Sequence, residues 1–420
     1  MHVELTGSVA LVTALLIVPS YGVSAQHSLE ECTAGVASGR ATTDGRPLLW
    51  KTRDASWTDN EVIWNTSGTY DFLSVINAGN DSSSWMGVNE RGFSIINTAS
   101  SDLSSGDTGM HNGEFMALAL KECATVAEFE ELLNQTNEMG RRTSTNYGVI
   151  DATGAAAFFE TAGHEFWRYD AADTEKGYIL RTNFARNGDR SEADPPYSMD
   201  RYLLSEQLMI EFYRTDKIDF KEIVKTQVRS FGNADGTLVP LPFTGTIEGH
   251  ERGYFPHNSS INRNTTISFA AIQGVLFHED ARLSTMWTIL GQPSTAITVP
   301  YWPVGKTPPE ADGPETAPLC DAANQIRQEL YEEFETPASD DEEVRPLFIN
   351  TLALVDESGD GIWKILMPAE DSIIAESERA LQGWRESGMD IDEMLETEQN
   401  MARRALRTIE NAYQYLTTRR

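Results

Sequence analysis

Residues 32–54 read CTAGVASGRATTDGRPLLWKTRD. Small and apolar residues alternate on both sides of Asp44-Gly45, and an Asp-Gly pair between two such runs is a strong hairpin signal. The pattern predicts one strand over CTAGVASG, a turn at Thr43-Asp44-Gly45 and a second strand over PLLWKTRD. Cys32 is therefore expected to open a buried strand.

The position of Cys32 suggests a specific chemistry. If the chain is cut immediately before it, one residue carries both a thiol, with a pKa of about 8.5, and an α-amino group, with a pKa of about 7.7 to 8. The amine can then accept the thiol proton near neutral pH without a histidine. Two other interpretations stay open, a buried small side chain and half of a disulfide. A lipid anchor is excluded, because Leu29-Glu30-Glu31 precedes the cysteine where small residues would be needed.

The N-terminus predicts a signal peptide over residues 1–25. A mainly apolar run at 9–18 is followed by Val23-Ser24-Ala25, a small-residue cleavage pattern, although Glu4 and the lack of Lys or Arg before the run are unusual. We therefore expect an exported protein, secreted or periplasmic. Residues 26–31 would form a short leader, removed when the Cys32 thiol attacks its own preceding peptide bond. No later run approaches the roughly 20 apolar residues of a membrane span.

The composition of the chain limits the kinds of partner that it can bind. The 420 residues include 33 basic and 64 acidic side chains, which gives a formal net charge of −31. Such a surface repels phosphate backbones and argues against a nucleic-acid partner. It is also typical of a salty habitat, which we state as a hypothesis. The seven histidines show no ligand spacing and the sequence has no phosphate loop, so neither a metal nor a cofactor is predicted. The oligomeric state, including a homo-oligomer, is left open.

The order of predicted elements favours one α+β catalytic domain over residues 32–307. Strands and hairpins alternate there with helices predicted at 113–120, 125–137 and 218–231, and with one that starts at Ser198. Residues 308–346 are acidic and rich in proline, which predicts an exposed linker or lobe that contains one helix. Residues 347–420 predict a strand and then helices, interpreted as a cover packed on the same domain.

Three polar residues beyond the hairpin occupy positions that suit a cleft. Asn97 and Asn183 each lie at the end of a predicted strand, and Arg201 lies in the first turn of a predicted helix. An asparagine there is either a turn former or an amide donor. An arginine favours the end of a helix, so at the start it is either solvated or directed at an anion.

The ordered motifs resemble the N-terminal nucleophile amide hydrolases of the choloylglycine hydrolase and penicillin V acylase group. Within that group the chain most resembles relatives of the acyl-coenzyme A:6-aminopenicillanate acyltransferase type. The resemblance covers residues 32 to about 304. It is carried, in order, by the motifs Cys-Thr at 32, PLLWKTRD, GVNERGFSIINT, NYGVIDATGAAAFFET, RTNF and Asp200-Arg201-Tyr202.

The resemblance implies roles for individual residues. Cys32 would be the nucleophile and Asp54 would hold its free amino group. Asn97 and Asn183 would donate hydrogen bonds to the oxyanion, and Arg201 would lie near the nucleophile. Lys51 stands where the group usually has an arginine beside the thiol, which leaves open whether Lys51 or Arg53 stabilises the thiolate. Lysine lacks the planar fork of arginine, so the two are not interchangeable.

The resemblance also implies a fold and an activity. The fold is a four-layer αββα sandwich of two antiparallel sheets, here with a C-terminal helical extension. The activity is hydrolysis of a linear carbon-nitrogen amide of a small-molecule substrate through a thioester. Two alternatives remain: acyl transfer or dipeptide cleavage on the same fold, and a secreted acidic binding protein without activity.

Overall fold

The computed structural model describes residues 31–189, 196–215, 218–313, 316–331 and 347–419. The predicted signal peptide and all of the predicted leader except Glu31 lie outside these residues. In this structure the chain is continuous through Glu31 and Cys32, so it represents the form before any cut at that bond.

Most strands are short and almost fully buried. In chain order they are β1 (Glu31–Ala37), β2 (Leu48–Asp54), β3 (Asn60–Asn65), β4 (Phe72–Asn77), β5 (Met86–Asn89), β6 (Ser94–Ala99), β7 (Thr145–Ile150), β8 (Ala156–Thr161), β9 (Phe166–Asp170), β10 (Tyr178–Arg181), β11 (Phe231–Gly232), β12 (Leu238–Val239), β13 (Tyr254–Pro256), β14 (Thr266–Gln273), β15 (Thr285–Leu290), β16 (Val299–Tyr301) and β17 (Phe348–Asn350).

Helices occur in three groups along the chain, one early, one in the middle and one at the C-terminal end. They are α1 (Asn112–Glu122), α2 (Val126–Thr136), α3 (Met199–Thr215), α4 (Phe220–Lys225), α5 (Pro318–Leu330), α6 (Thr351–Leu354), α7 (Trp363–Ser387) and α8 (Ile391–Thr418). The predicted capping box of α2 is present, because the Thr125 side chain accepts from the Glu128 backbone and the Glu128 side chain accepts in return.

Two large antiparallel sheets form the centre of the molecule. The first has the order β10-β1-β2-β14-β15-β16, and the second follows the chain from β3 to β9. The predicted hairpin is confirmed as the adjacent strands β1 and β2 of the first sheet, where Cys32 lies opposite Arg53 and Ala34 opposite Lys51. Strands β1 and β2 pack face to face with β6 and β7 of the second sheet.

Helices cover both outer faces of this pair of sheets. Aromatic and aliphatic side chains of α1 and α2 form one apolar core with the second sheet. A larger core joins the two sheets with α3, α4, α5, α7 and α8 on the other side. The α+β architecture of helix, sheet, sheet and helix layers with added C-terminal helices is therefore as predicted.

Two predicted segments differ from the structure. The helix predicted over 218–231 ends early: α4 stops at Lys225, a short 3-10 turn follows, and Phe231 already belongs to a strand. The helix expected around 322–334 in the proline-rich segment is present as α5 but begins earlier, at Pro318, and its Leu319, Cys320 and Ile326 are buried in the larger core. The boundaries of the segment stay a prediction.

The C-terminal helices are anchored by a buried ion pair. Glu370 of α7 accepts from Arg229 at 2.8 and 3.0 Å and from the Thr298 backbone at 2.7 Å. Both charged side chains are almost inaccessible to solvent. Within the described part of the chain, no helix has both the length and the apolar character needed to cross a membrane.

Candidate active site

Cys32 lies near the start of β1, in the interior of the first sheet, and is only 2% exposed. Successive side chains of a strand point to opposite faces, so the register with β2 places Cys32, Lys51 and Arg53 on one face. That face meets the second sheet, since Lys51 contacts Asn97 of β6. Thr33 and Asp54 point to the opposite face, toward α3.

The backbone of Cys32 is held by two side chains that come from distant parts of the chain. Its N–H donates to Asn183 Oδ1 at 2.8 Å, and its carbonyl accepts from Arg201 Nη1 at 2.8 Å. Arg201 Nη2 also donates to Asn183 Oδ1 at 3.1 Å. A guanidinium only donates, so the oxygen of the Asn183 amide must be the atom that faces both groups. The nitrogen of Cys32 is thus fixed by an acceptor.

Asn183 is positioned by its own backbone as well as by its side chain. It follows β10, and its carbonyl accepts from the backbone and hydroxyl of Ser101 at 3.1 and 3.0 Å. Its N–H donates at 2.9 Å to the hydroxyl of Ser198, the residue before α3, which has a φ of 67°. These contacts join the end of β10 to the start of α3, and therefore bring Asn183 and Arg201 together.

Asp54 ends β2 and is fully buried. Its Oδ1 accepts from the Thr266 hydroxyl at 2.6 Å, while Oδ2 lies 3.9 Å from Arg201 Nη1 and has no hydrogen-bond partner among the described residues. Burial raises the pKa of Asp54 to about 7, although Arg201, the hydrogen bond from Thr266 and Lys51 act in the opposite direction. The site therefore has one carboxylate oxygen ready to accept another donor.

The opposite face of β1 carries the second part of the predicted site. Lys51 Nζ donates to Asn97 Oδ1 at 2.6 Å and to the Trp85 carbonyl at 3.3 Å. Because an ammonium only donates, the oxygen of the Asn97 amide faces Lys51, and its NH2 group is left to donate elsewhere. Arg53 donates to Asn60 Oδ1 at 2.7 Å and lies 4.4 Å from the Trp85 ring centroid.

The structure thus places the other six predicted residues around Cys32, in two groups. Asp54, Asn183 and Arg201 surround its backbone, while Lys51, Arg53 and Asn97 lie on the face to which its thiol points. The contact of the Asn183 side chain differs from the role that the resemblance implies. In this uncut chain the Asn183 NH2 group donates to the Ala99 carbonyl at 2.9 Å, so Asn183 acts toward Cys32 as an acceptor. Its role as an oxyanion donor stays a prediction.

Sequence reasoning missed a third group of residues. The carboxylate of Glu31 forms an ion pair with Arg263 and lies 3.9 Å from Arg201 Nη2. Thr266, which lies opposite Asp54 in the sheet, holds its carboxylate. The only sequence feature that points to Glu31 is its position next to Cys32. No local sequence pattern identifies Arg263 or Thr266 as site residues.

The other two cysteines do not contact Cys32, although Cys320 Sγ accepts from the backbone N–H of Asn60, whose side chain accepts from Arg53. No disulfide links the three cysteines, all of which lie among the described residues. Cys123 and Cys320 are buried, and burial raises the pKa of each thiol to about 12. In the described ranges, no cluster of His, Cys, Asp and Glu side chains is arranged to hold a metal ion.

No protein-family model matches the chain, and no curated protein matches it. Solved structures do match. A mutant of the conjugated bile acid hydrolase from Clostridium perfringens aligns at 13% identity with a TM-score of 0.38, covering 61% of this chain and 89% of its own. Penicillin V acylase from Agrobacterium tumefaciens aligns at 15% identity with a TM-score of 0.35, covering 64% and 85%. The proposed roles of the site residues therefore rest on their own contacts.

Proposed function

We propose that this chain is an exported, self-activating amidohydrolase of the N-terminal nucleophile type, with Cys32 as nucleophile. The observation that carries the proposal is the double hold on the Cys32 backbone. Asn183 accepts from its nitrogen and Arg201 donates to its carbonyl, both at 2.8 Å, inside a buried polar cluster. Any buried backbone group needs a partner, but the pairing of β1 with β10 begins only at Ala34, and two polar side chains take the place of the neighbouring strand at Cys32. A cysteine whose own nitrogen takes part in proton transfer needs that nitrogen to be fixed.

In the first reaction the chain cuts itself. The Cys32 thiol attacks the carbonyl carbon of Glu31, the bond from that carbon to the Cys32 nitrogen breaks, and the thiol proton passes to the nitrogen. A thioester and a free amine result. Water then hydrolyses the thioester, which restores the thiol and releases the leader with a new carboxylate at Glu31.

The buried surroundings suit the product of this cut. A new ammonium group at Cys32 would meet Asp54 Oδ2, the oxygen that lacks a hydrogen-bond partner among the described residues. The added positive charge favours the carboxylate form and lowers the pKa of Asp54 from its raised value of about 7. Cutting would therefore add a second cation beside Asp54, whose Oδ2 already lies 3.9 Å from Arg201 Nη1.

In the second reaction the freed residue cleaves a linear amide. The thiol attacks the substrate carbonyl, the α-amine transfers the thiol proton to the leaving nitrogen, and water resolves the thioester. The NH2 group of Asn97, oriented by Lys51, is the donor proposed for the oxyanion, and loss of one such donor typically costs about 10² to 10³ in rate. Lys51 supplies positive charge on the face of the thiol.

Intact mass and hydrolysis assays test the proposal together. We expect the purified wild type to start at Cys32 and Cys32→Ala to retain Glu31. A panel of N-acyl amino acids, penicillin V, dipeptides and bile conjugates then identifies amides that only the wild type cleaves. Cys123→Ala is the matched control, since its thiol is buried in the separate apolar core that α1 and α2 form with the second sheet. This variant should cut and hydrolyse like the wild type.

Two results would overturn the proposal. One is a Cys32→Ala protein that hydrolyses every amide at the wild-type rate. The other is a fully active mature protein that still begins at Gln26. Export is tested separately by fractionating producing cells, where the cut form is expected outside the cytoplasm.

A further inference from the structure

Glu31, the residue before the proposed cut, sits in a positively charged niche. Its carboxylate forms an ion pair with Arg263 and lies 3.9 Å from Arg201 Nη2. The niche is formed by Arg263 and Arg201, whose side chains are only 13% and 1% exposed. Burial lowers the pKa of Arg263 to about 10, which leaves its guanidinium charged at neutral pH. Two buried cations thus hold one leader carboxylate.

The backbone of Arg263 is held independently of Glu31. Its backbone N–H donates to the Thr266 hydroxyl at 2.9 Å, and its carbonyl accepts from Gln292 at 2.8 Å. Its Nε is buried and has no hydrogen-bond partner among the described residues. Within the same residues, Glu31 is the acid placed against Arg263. When the leader departs, a largely buried cation loses its counter-ion, which is unfavourable unless another anion takes its place.

The chemistry of the cut shows which part of a substrate would supply that anion. The carbonyl carbon of Glu31 is the atom that the thiol attacks, so the leader thioester and a substrate thioester place equivalent acyl groups on Cys32. The carboxyl carbon of a glutamate side chain is the fifth carbon of the acyl chain, counted from this carbonyl carbon. Glutaryl is the acyl group in which the carboxyl carbon is likewise the fifth carbon, counted from the carbonyl carbon.

We propose that the niche of Arg263 and Arg201 binds a carboxylate on the acyl part of the substrate, and that the preferred substrates are amides of glutaryl-type acids. This inference rests on the proposed function and names its substrate class. Glu31 occupies the acyl subsite before the cut, and the substrate carboxylate occupies it afterwards.

The test compares three p-nitroanilides with the same leaving group. One carries glutaryl, one carries its neutral terminal amide, glutaramoyl, and one carries pentanoyl. We expect a kcat/KM ratio of glutaryl to glutaramoyl of roughly 10², because truncating a buried charged pair has effects of this size. In Arg263→Gln the ratio should fall to about 1. Arg252→Gln removes an exposed arginine that pairs with Glu357 and should keep the wild-type ratio. Mass spectrometry establishes that each enzyme has been cut.

A second pair of substrates locates the carboxylate. Pentanoyl-glycine carries it on the leaving amine, and pentanoyl-ethylamide carries none. An Arg263-dependent preference for pentanoyl-glycine would overturn the assignment to the acyl side. Equal rates for glutaryl and glutaramoyl anilides, with hydrolysis still dependent on Cys32, would overturn the inference and leave the proposed function intact. Absence of both self-cutting and Cys32-dependent hydrolysis would instead refute the proposed function.

A measurement on the wild type covers the case in which Arg263→Gln does not fold. Iodoacetamide alkylation of Cys32 in the cut enzyme is followed with increasing glutarate or pentanoate. We expect glutarate to protect at roughly tenfold or more lower concentration than pentanoate, since only glutarate carries a second charge for the niche. Equal protection by the two acids would contradict the proposal.

Discussion

At the scale of single residues, the two faces of β1 carry different parts of the candidate site. The side chains of Asn183 and Arg201 hold the backbone of Cys32 from one side, and Lys51 orients Asn97 on the other. Lys51 is a single point charge, but a point charge suffices to fix which end of an amide faces it. The departure from the usual arginine is therefore compatible with an ordered site.

Lys51→Met should lower kcat/KM of the cut enzyme by about 10² to 10³, because the Asn97 amide loses the group that orients its NH2 donor. The assay uses a substrate found in the hydrolysis panel, with the fraction of cut protein measured by mass. Lys225→Met is the control, since Lys225 pairs with Asp371 at the surface. Activity of Lys51→Met within threefold of the wild type would remove Lys51 from the proposed mechanism.

Asp54 should make the stability of the uncut chain depend on pH. Its pKa is raised to about 7 by burial, against about 3.9 in an unfolded chain. Between these values the folded chain retains a proton that the unfolded chain has lost. The free energy of unfolding therefore falls as pH rises from about 4 to about 7, by at most about 1.4 kcal/mol per pH unit, and the stabilisation is complete below this window and lost above it.

Urea denaturation of Cys32→Ala and of Cys32→Ala/Asp54→Asn between pH 4.5 and 7.5 isolates this contribution, because the other acidic groups are common to both proteins. We expect the difference in unfolding free energy between the two proteins to change across the window. A constant difference would show that Asp54 is ionised in the folded uncut chain throughout.

At the scale of elements, the extension after residue 347 is an integral part of the fold. Helix α7 is attached through the buried pair of Glu370 and Arg229, and Glu370 also accepts from the Thr298 backbone just before β16. Helix α8 packs against α5, so the C-terminal helices and the first sheet share one apolar core.

Glu370→Ala should lower the free energy of unfolding by about 3 to 5 kcal/mol, because it leaves the buried Arg229 without its acid. Glu378→Ala on the same helix removes an exposed pair with Lys221 and should cost no more than about 1 kcal/mol. Chemical denaturation of both variants in the Cys32→Ala background measures the two effects. Equal small losses would mean that α7 is held by apolar contacts alone.

At the scale of the whole molecule, the surface charge is the dominant feature. A net charge of −31 causes self-repulsion in the folded chain, and added salt shortens the Debye length from about 10 Å at 0.1 M to about 3 Å at 1 M. We expect the melting temperature to rise between 0.1 and 2 M KCl. Sucrose at matched osmolality is the control for general exclusion effects. A melting temperature that falls or stays constant with KCl would contradict adaptation to a salty habitat.

Local sequence determined much of this protein. Asp44-Gly45 and its alternating flanks specify the hairpin that places Cys32 opposite Arg53, because strand period and turn chemistry are properties of neighbouring residues. The resemblance carried by the ordered motifs implied the layered architecture, and the predicted order of hairpins and helices agrees with it. The ordered motifs also identified Cys32 and the six residues that the structure places around it.

Only the tertiary structure decided what these residues contact. The hydrogen bonds of Asn183 and Arg201 to Cys32 span more than 150 positions in the chain, and Arg263 reaches Glu31 from the loop before β14. Burial also decides the protonation of Asp54, since desolvation depends on every element packed around it. Local pattern carries no information about such partners, because sheet order and the closing of long loops determine which distant side chains share one buried volume.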